Sequence, residues 1–280
     1  MGMRNNILFI IDPQNSFMGY GNGTPYHEVA AGRTEAAELP VRGAVEDMDR
    51  LSKFIDRADG GNSIDDIIVT LDTHETLFKY RDIGHPHYWL DAAGKMPVPF
   101  TVITFQDVVE KKWTPYDPGL SEKVLNYFSK AGSQVIWPKH CVLGTWGHDI
   151  YSPLNSAIQR WSDRTGKNPQ VIRKGMNCHT EQYGAFEAAV PDPDDPTTQF
   201  NWTLLNHLKK GRRVWVAGEA ESHCVKTSVV QAAAKLSPRE FSKLTLLTDC
   251  MSSVRGFESA GDEFIAHMQK LGMNIAKVDA

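Results

Sequence analysis

Several classes of protein are excluded by what this 280-residue chain does not contain. No apolar run reaches the roughly 18 residues of a membrane-spanning helix, so none is expected. The opening Met1-Gly-Met-Arg-Asn-Asn6 leads straight into a short apolar segment without a cleavage-type flank, which argues against a signal peptide. Gly2 opens no myristoylation motif, because position 6 is Asn rather than Ser or Thr. Basic residues number 30 against 34 acidic ones, a net charge of −4, so the basic excess of a nucleic-acid binder is missing. No GxGxxG follows the first apolar strand, which leaves a dinucleotide-dependent oxidoreductase poorly supported. The four cysteines, Cys141, Cys178, Cys224 and Cys250, are scattered and form no CxxC pair. A disulfide framework and a Cys-rich zinc module are both unexpected, and reduced thiols in the cytoplasm are the default. There are no internal repeats, and the one biased tract is Pro191-Asp-Pro-Asp-Asp-Pro196.

What is present is an alternation of short apolar runs with helix-like stretches. The candidate strands are Ile7–Ile11, Ile67–Leu71, Gln170–Arg173, Val214–Ala217, Leu244–Leu247 and Asn274–Val278. Their near-continuous apolar character fits strands covered on both faces, as in a parallel sheet. The candidate helices are Ala44–Ala58, Trp202–Lys210, Ser222–Leu236 and Glu258–Leu271. This order predicts an α/β fold, a three-layer sandwich around a central parallel sheet. A single domain over residues 1–280 is expected, with insertions around 76–132 and 190–200. The first is rich in aromatics, Gly and Pro and reads as a lid or an oligomer contact. The second is Pro-Asp rich and reads as a solvated loop. A homo-oligomer is the expected state.

Ligands of such sheets bind beyond the carboxyl ends of the strands. Asp12, Asp72, Lys174 and Cys224 all fall at such ends, so the chain is expected to gather them in space. Cys224 lies at a strand-to-helix turn, where free backbone N–H groups and a helix dipole lower a thiol's pKa. The alternative for a lone cysteine is plain structural burial. Asp12 fits a general base or a helix N-cap. Lys174, if buried beside a thiol, would hold the thiolate charged; otherwise it is a surface lysine. In Asp72-Thr-His74 the first and third side chains project to the same side of a strand. A carboxylate oxygen and an imidazole nitrogen are a plausible ligand pair for zinc, iron or manganese. A third ligand is required, and His140, His85 and His87 all remain open.

Asp12, Lys174 and Cys224, in that order, resemble the catalytic triad of the isochorismatase-like cysteine hydrolases. Within that superfamily Asp72-x-His74, followed by Trp137-Pro-Lys-His-Cys-Val-Leu-Gly-Thr145, is similar to the nicotinamidases. Glu181-Gln-Tyr-Gly-Ala-Phe186, shortly after Lys174, fits the same pattern. The resemblance covers most of the sheet and misses the two insertions. It implies a metal-dependent amidase that hydrolyses nicotinamide to nicotinate and ammonia through a thioester. By resemblance Cys224 is the nucleophile, Asp12 the general base and acid, and Lys174 the group that stabilises the thiolate and orients Asp12. The backbone N–H groups of Ala220 and Cys224 would hold the oxyanion, and a cis peptide is implied at Glu219–Ala220. Asp72, His74 and His140 would bind a divalent metal, zinc first, with iron or manganese as alternatives. Phe17, Trp137 and Tyr183 would line the ring pocket, although each also suits ordinary core packing.

One segment departs from the pattern. Nicotinamidases often read Gly-x-Ala-Thr/Leu-x-Tyr-Cys before the nucleophile, whereas this chain has Gly218-Glu-Ala-Glu-Ser-His-Cys224. Ser222 and His223 therefore bear on the substrate more than on the reaction. His223 is not expected to act as a base, because adjacent residues rarely face each other. The competing expectations are a hydrolase of another small amide or ureido compound, and a catalytically silent member that binds a small ligand.

Overall fold

The computed structural model describes residues 5–28, 35–58, 63–75 and 82–278. Six parallel strands make the central sheet: β1 (Asn6–Ile11), β2 (Asp66–Asp72), β3 (Gln170–Lys174), β4 (Arg213–Gly218), β5 (Leu244–Leu247) and β6 (Asn274–Ala276). Their spatial order is β3-β2-β1-β4-β5-β6, so the chain starts at the centre and reverses direction between β3 and β4. The middle of the sheet is apolar on both faces, and every residue of β1 and β5 is buried. Edge strand β3 instead alternates until its last residue, the buried Lys174.

Side chains alternate across a strand, and the two faces of β1 feed two separate cores. Leu8 and Ile10 pack with α1 (Ala44–Arg57) and α3 (Ser152–Thr165). Ile7, Phe9 and Ile11 pack with α4 (Trp202–Lys210), α5 (Lys226–Ala233) and α6 (Glu258–Lys270). Helix α1 forms because Val45, Met48, Leu51 and Ile55 recur at helical spacing and turn one stripe to the sheet. Burial of each such side chain contributes about 1.5–3 kcal/mol. The layers are helix, sheet, helix, as expected from the sequence.

Three expectations need adjustment. Helix α5 begins at Lys226, not Ser222, because Glu221–Val225 form a wider π turn that carries Cys224. Two longer helices, α2 (Ser121–Ala131) and α3, and two short ones, Phe105–Val109 and Pro238–Phe241, are additional to the expected set among the described residues. The insertion is also more than a loop. Its described part, from residue 82, includes α2 and a third apolar cluster with Ile83, Tyr88, Trp89, Ile103, Tyr127 and Phe128. Two short antiparallel pairs brace it, Val102–Thr104 with Ser133–Val135 and Trp89–Leu90 with Thr114–Pro115. Of the Pro-Asp loop, Val190 and Thr198 are buried and fasten its ends. No helix among the described residues is long and apolar enough to cross a membrane.

Candidate active site

Asp12 follows β1, Asp72 and Lys174 end β2 and β3, and Cys224 lies six residues past the end of β4. The sheet order brings these ends together. Lys174 Nζ lies 2.9 Å from Asp12 Oδ2 and 3.7 Å from Cys224 Sγ. It donates to Asp72 Oδ1 at 3.2 Å and to the carbonyl of Gln182 at 3.0 Å. Asp12 Oδ1 accepts a 2.7 Å bond from the Thr70 hydroxyl. All three chemistry-bearing side chains are buried. Glycine at position 218 is required by this approach: at φ +126, a Cβ would meet the Ile11 carbonyl oxygen at 2.0 Å.

The electrostatics follow from burial and from one shared cation. Burial disfavours the Lys174 ammonium, but Asp12 and Asp72 outweigh it and hold the pKa well above that of an ordinary lysine. Burial raises the Asp12 carboxyl, with Lys174 pulling the other way. Burial pushes the Cys224 thiol well up, against the opposing pull of Lys174. This corrects the low thiol pKa expected from a helix end, because removal from water outweighs the backbone dipoles. A neutral thiol at rest needs an adjacent base, and Asp12 is on the same ammonium.

Asp72 links this triad to a second cluster. Its Oδ2 lies 3.2 Å from His74 Nε2 and 3.4 Å from His140 Nε2. One ligand atom from each of the three residues lies within 4.8 Å of the others, and all three residues are buried. The outer nitrogens fix the tautomers. His140 Nδ1 is 2.7 Å from the Pro138 carbonyl, and His74 Nδ1 is 3.1 Å from Asp82 Oδ2. Both partners only accept, so each Nδ1 carries the hydrogen and each Nε2 turns a lone pair inward. Two imidazole lone pairs and a carboxylate oxygen that converge in this way fit a divalent metal ion. Without a cation, a proton must substitute. Burial opposes charge on His74, but Asp72 and Asp82 hold its pKa well above the ordinary value. Of the three histidines open as third ligand, His140 is the one that joins Asp72 and His74. His85 is instead paired with its neighbour, its Nδ1 accepting from the His87 N–H at 3.2 Å.

Beside both clusters is a narrow pocket lined by Phe17, Trp137, Tyr183, Ala220, His223 and Cys224, among others. Trp137 Nε1 donates to the Tyr183 hydroxyl at 2.9 Å, which sets the two rings at right angles as walls. Phe100, from the insertion, meets Trp137 edge to face at 5.9 Å, so the insertion buttresses the pocket wall. The Glu219–Ala220 peptide is cis, at the position implied by the resemblance. A wider surface groove, lined by Trp146, His148 and Asn155 among others, holds none of these groups.

The chain is similar to known proteins in sequence and fold. A curated nicotinamidase of Acinetobacter baylyi is 25% identical over 231 residues, which covers 82% of this chain and 75% of that protein. Among solved structures, an Acinetobacter baumanii nicotinamidase/pyrazinamidase superposes with a TM-score of 0.61 at 21% identity, over 100% of this chain and 99% of that one. The yeast nicotinamidase Pnc1p, bound to the inhibitor nicotinaldehyde, gives a TM-score of 0.62 at 18% identity, over 97% and 99%. A pyrazinamidase of Pyrococcus horikoshii in complex with zinc gives 0.52 at 17% identity, over 98% and 99%. No family model matches the chain. This chain has the nicotinamidase fold.

Set on the nicotinamidase fold, the site contains two groups to which sequence reasoning gave no role, Asp82 and Glu181. Asp82 orients His74 and is visible only in space. Glu181 lines the pocket, bonded to Gln134 Nε2 at 2.9 Å and to the Gln182 N–H at 3.0 Å. Its position between Lys174 and Tyr183 was the available signal. His223 faces the pocket aromatics, with ring centroids 5.1 Å from Trp137 and 4.7 Å from Phe257. Burial depresses its pKa to about 4, which makes it a weaker base than an ordinary histidine.

Proposed function

We propose that this chain is a metal-dependent cysteine amidase that hydrolyses nicotinamide to nicotinate and ammonia. The observation that carries the reading is the double role of Asp72. One of its oxygens meets Lys174, which touches Asp12 and Cys224, and the other meets His74 and His140. A nucleophile, a base, a cation and a metal-ligand set thus share one buried network at the mouth of an aromatic pocket. The sequence likeness to a nicotinamidase and the shared fold support the same substrate.

In this mechanism Asp12 takes the proton from Cys224 Sγ as the sulfur attacks the amide carbonyl carbon. Lys174 offsets the negative charge that passes between carboxylate and sulfur. The N–H groups of Ala220 and Cys224 hold the carbonyl oxygen as it becomes an oxyanion. The C–N bond breaks, Asp12 returns its proton to the leaving nitrogen, and ammonia departs from a thioester. Asp12 then takes a proton from water as its oxygen attacks the thioester, the C–S bond breaks, Asp12 passes that proton to the sulfur, and the nicotinic acid leaves and ionises to nicotinate in solvent. Phe17, Trp137 and Tyr183 hold the ring and exclude water. A divalent ion held by Asp72, His74 and His140, zinc first, would supply a Lewis acid for a ring nitrogen or a water.

The reading includes a single catalytic domain over residues 1–280, a homo-oligomeric state and a reducing, cytoplasmic setting. The free thiols of Cys141, Cys178, Cys224 and Cys250 suit that setting. A second reading, hydrolysis of another small amide or ureido compound, is favoured by the polar His223 and Glu181 in the pocket wall. Ammonia release from nicotinamide, with metal content measured on the same sample, decides between them. Release that tracks bound metal is the expected result. No release from a metal-loaded protein would discard nicotinamide and favour the second reading.

A further inference from the structure

Against the Gly218–Cys224 segment, and outside the lining of the pocket, stands a group of acids that the reaction does not use. Asp47, on α1, and Glu219 are 2% and 0% exposed. Their side chains lie within hydrogen-bonding reach of each other. Ser252, after β5, ties them together. Its hydroxyl donates to Asp47 Oδ2 at 2.5 Å and its N–H donates to Glu219 Oε2 at 3.2 Å. The Ser252 carbonyl accepts the Glu221 N–H at 2.8 Å, so the same residue also grips the active-site segment. Gly43 makes room for this: a Cβ there would lie 2.8 Å from Ser252 Oγ.

Arg50 supplies the positive charge, donating to Asp47 Oδ1 at 2.5 Å. The other ionisable groups that face the cluster are acids: Glu221 on the segment itself, Asp249 and Cys250 after β5, and Asp262 on α6. Two ionised carboxylates can only accept, and side by side in a buried site they repel. Glu219 Oε1 meets no donor among the described residues. A proton on Glu219 resolves both problems, because the carboxyl can then donate to Asp47.

We propose that Glu219 is held protonated, donates to Asp47, and through this clamp positions the backbone of Ala220 and Cys224 against the reacting carbonyl. Glu219 is thus a positioning residue for the amidase reaction, and the inference rests on the function proposed above. Burial, with Asp47 alongside, pushes the Glu219 carboxyl well above the ordinary range, in agreement with the geometry. At high enough pH the proton is lost, the pair becomes two adjacent buried anions, and the segment loses this support.

The test compares wild type, Glu219→Gln and Glu219→Ala. Gln keeps a hydrogen-bond donor and cannot ionise, so E219Q should retain neutral-pH kcat within about threefold and shift the alkaline limb of the profile upward. E219A removes the clamp and should lower kcat about tenfold or more, with KM changed far less. Loss in E219Q as large as in E219A, wild-type kcat in E219A, or an alkaline limb unmoved in E219Q would overturn the proposal. A readout independent of substrate is the infrared difference spectrum of wild type minus E219Q at neutral pH. The carbonyl stretch of a protonated carboxylic acid is expected, and its absence contradicts the proton on Glu219 whether or not nicotinamide is turned over. Failure of wild type to release ammonia would instead sink the proposed function, and the infrared result would still decide the proton.

Discussion

Two groups of buried acids adjoin the segment from Gly218 to Cys224, and they solve the same problem in opposite ways. In the first, Asp12 and Asp72 share Lys174, which is 3% exposed. Against the cost of its burial, Lys174 and His74 hold the Asp72 carboxyl well below the ordinary range. In the second, Asp47, Glu219 and Glu221 have Arg50 at their edge, half-buried and engaged with Asp47 alone among the three. Burial raises Asp47 to about 6 and Glu221 to about 7, and takes Glu219 well above its usual value. A central cation lets carboxyls remain ionised, ready to take protons or bind a metal. Of the acids without one, Glu219 retains its proton and donates to Asp47. The first cluster is built for chemistry and the second for support.

The sharpest break of this contrast is Cys224→Ala, which removes the atom that the first cluster serves. Turnover of nicotinamide should fall by at least about a thousandfold with the fold intact, measured as ammonia release and circular dichroism. Undiminished turnover would refute the assignment of the nucleophile. Lys174→Met strips the first cluster of its cation and leaves buried carboxylates unpaired. Stability should drop by about 3–5 kcal/mol in denaturant titration. Alkylation of Cys224 at neutral pH should slow as well, because Lys174 lowers the thiol's pKa. An unchanged alkylation profile would contradict the role of Lys174. His140→Ala removes one metal ligand and should reduce bound metal well below that of wild type, read by elemental analysis. Unchanged metal content would return the third ligand to His85 or His87.

The smallest effect belongs to the second cluster. A carboxyl with a raised folded-state pKa stabilises the fold while protonated, and that stabilisation is lost as pH rises through the folded-state value. For Glu221 the window runs from 4.5 to about 7. The Tm of Glu221→Gln relative to wild type should therefore climb across that window, since Gln has no proton to lose. A difference that stays flat with pH would show that Glu221 does not titrate there.

The sheet was legible in the sequence because its strands are short apolar runs flanked by polar residues. Leu244–Leu247 matches its expected bounds, and the others shift by one or two residues. The site was legible for the same reason: Asp12, Asp72 and Lys174 stand where apolar runs stop, and strand ends converge in a parallel sheet. Helix α3 carried a usable signal in Leu154, Ala157, Ile158 and Trp161 at helical spacing, with Pro153 in its first turn. The direction of the Cys224 pKa was not legible, because burial is a property of the folded chain. Nor was the second cluster, since Asp47, Glu219 and Ser252 come from separate elements and Glu219 belongs to a segment that departs from the nicotinamidase pattern.

The central claim is that Cys224 carries the acyl group, and acid-quenched mass spectrometry during turnover of nicotinamide tests it directly. A nicotinoyl adduct confined to the peptide that contains Cys224, formed and lost at rates consistent with ammonia release, is the predicted result. Ammonia release at full rate with no adduct on Cys224, and with the same rate in Cys224→Ala, would contradict it.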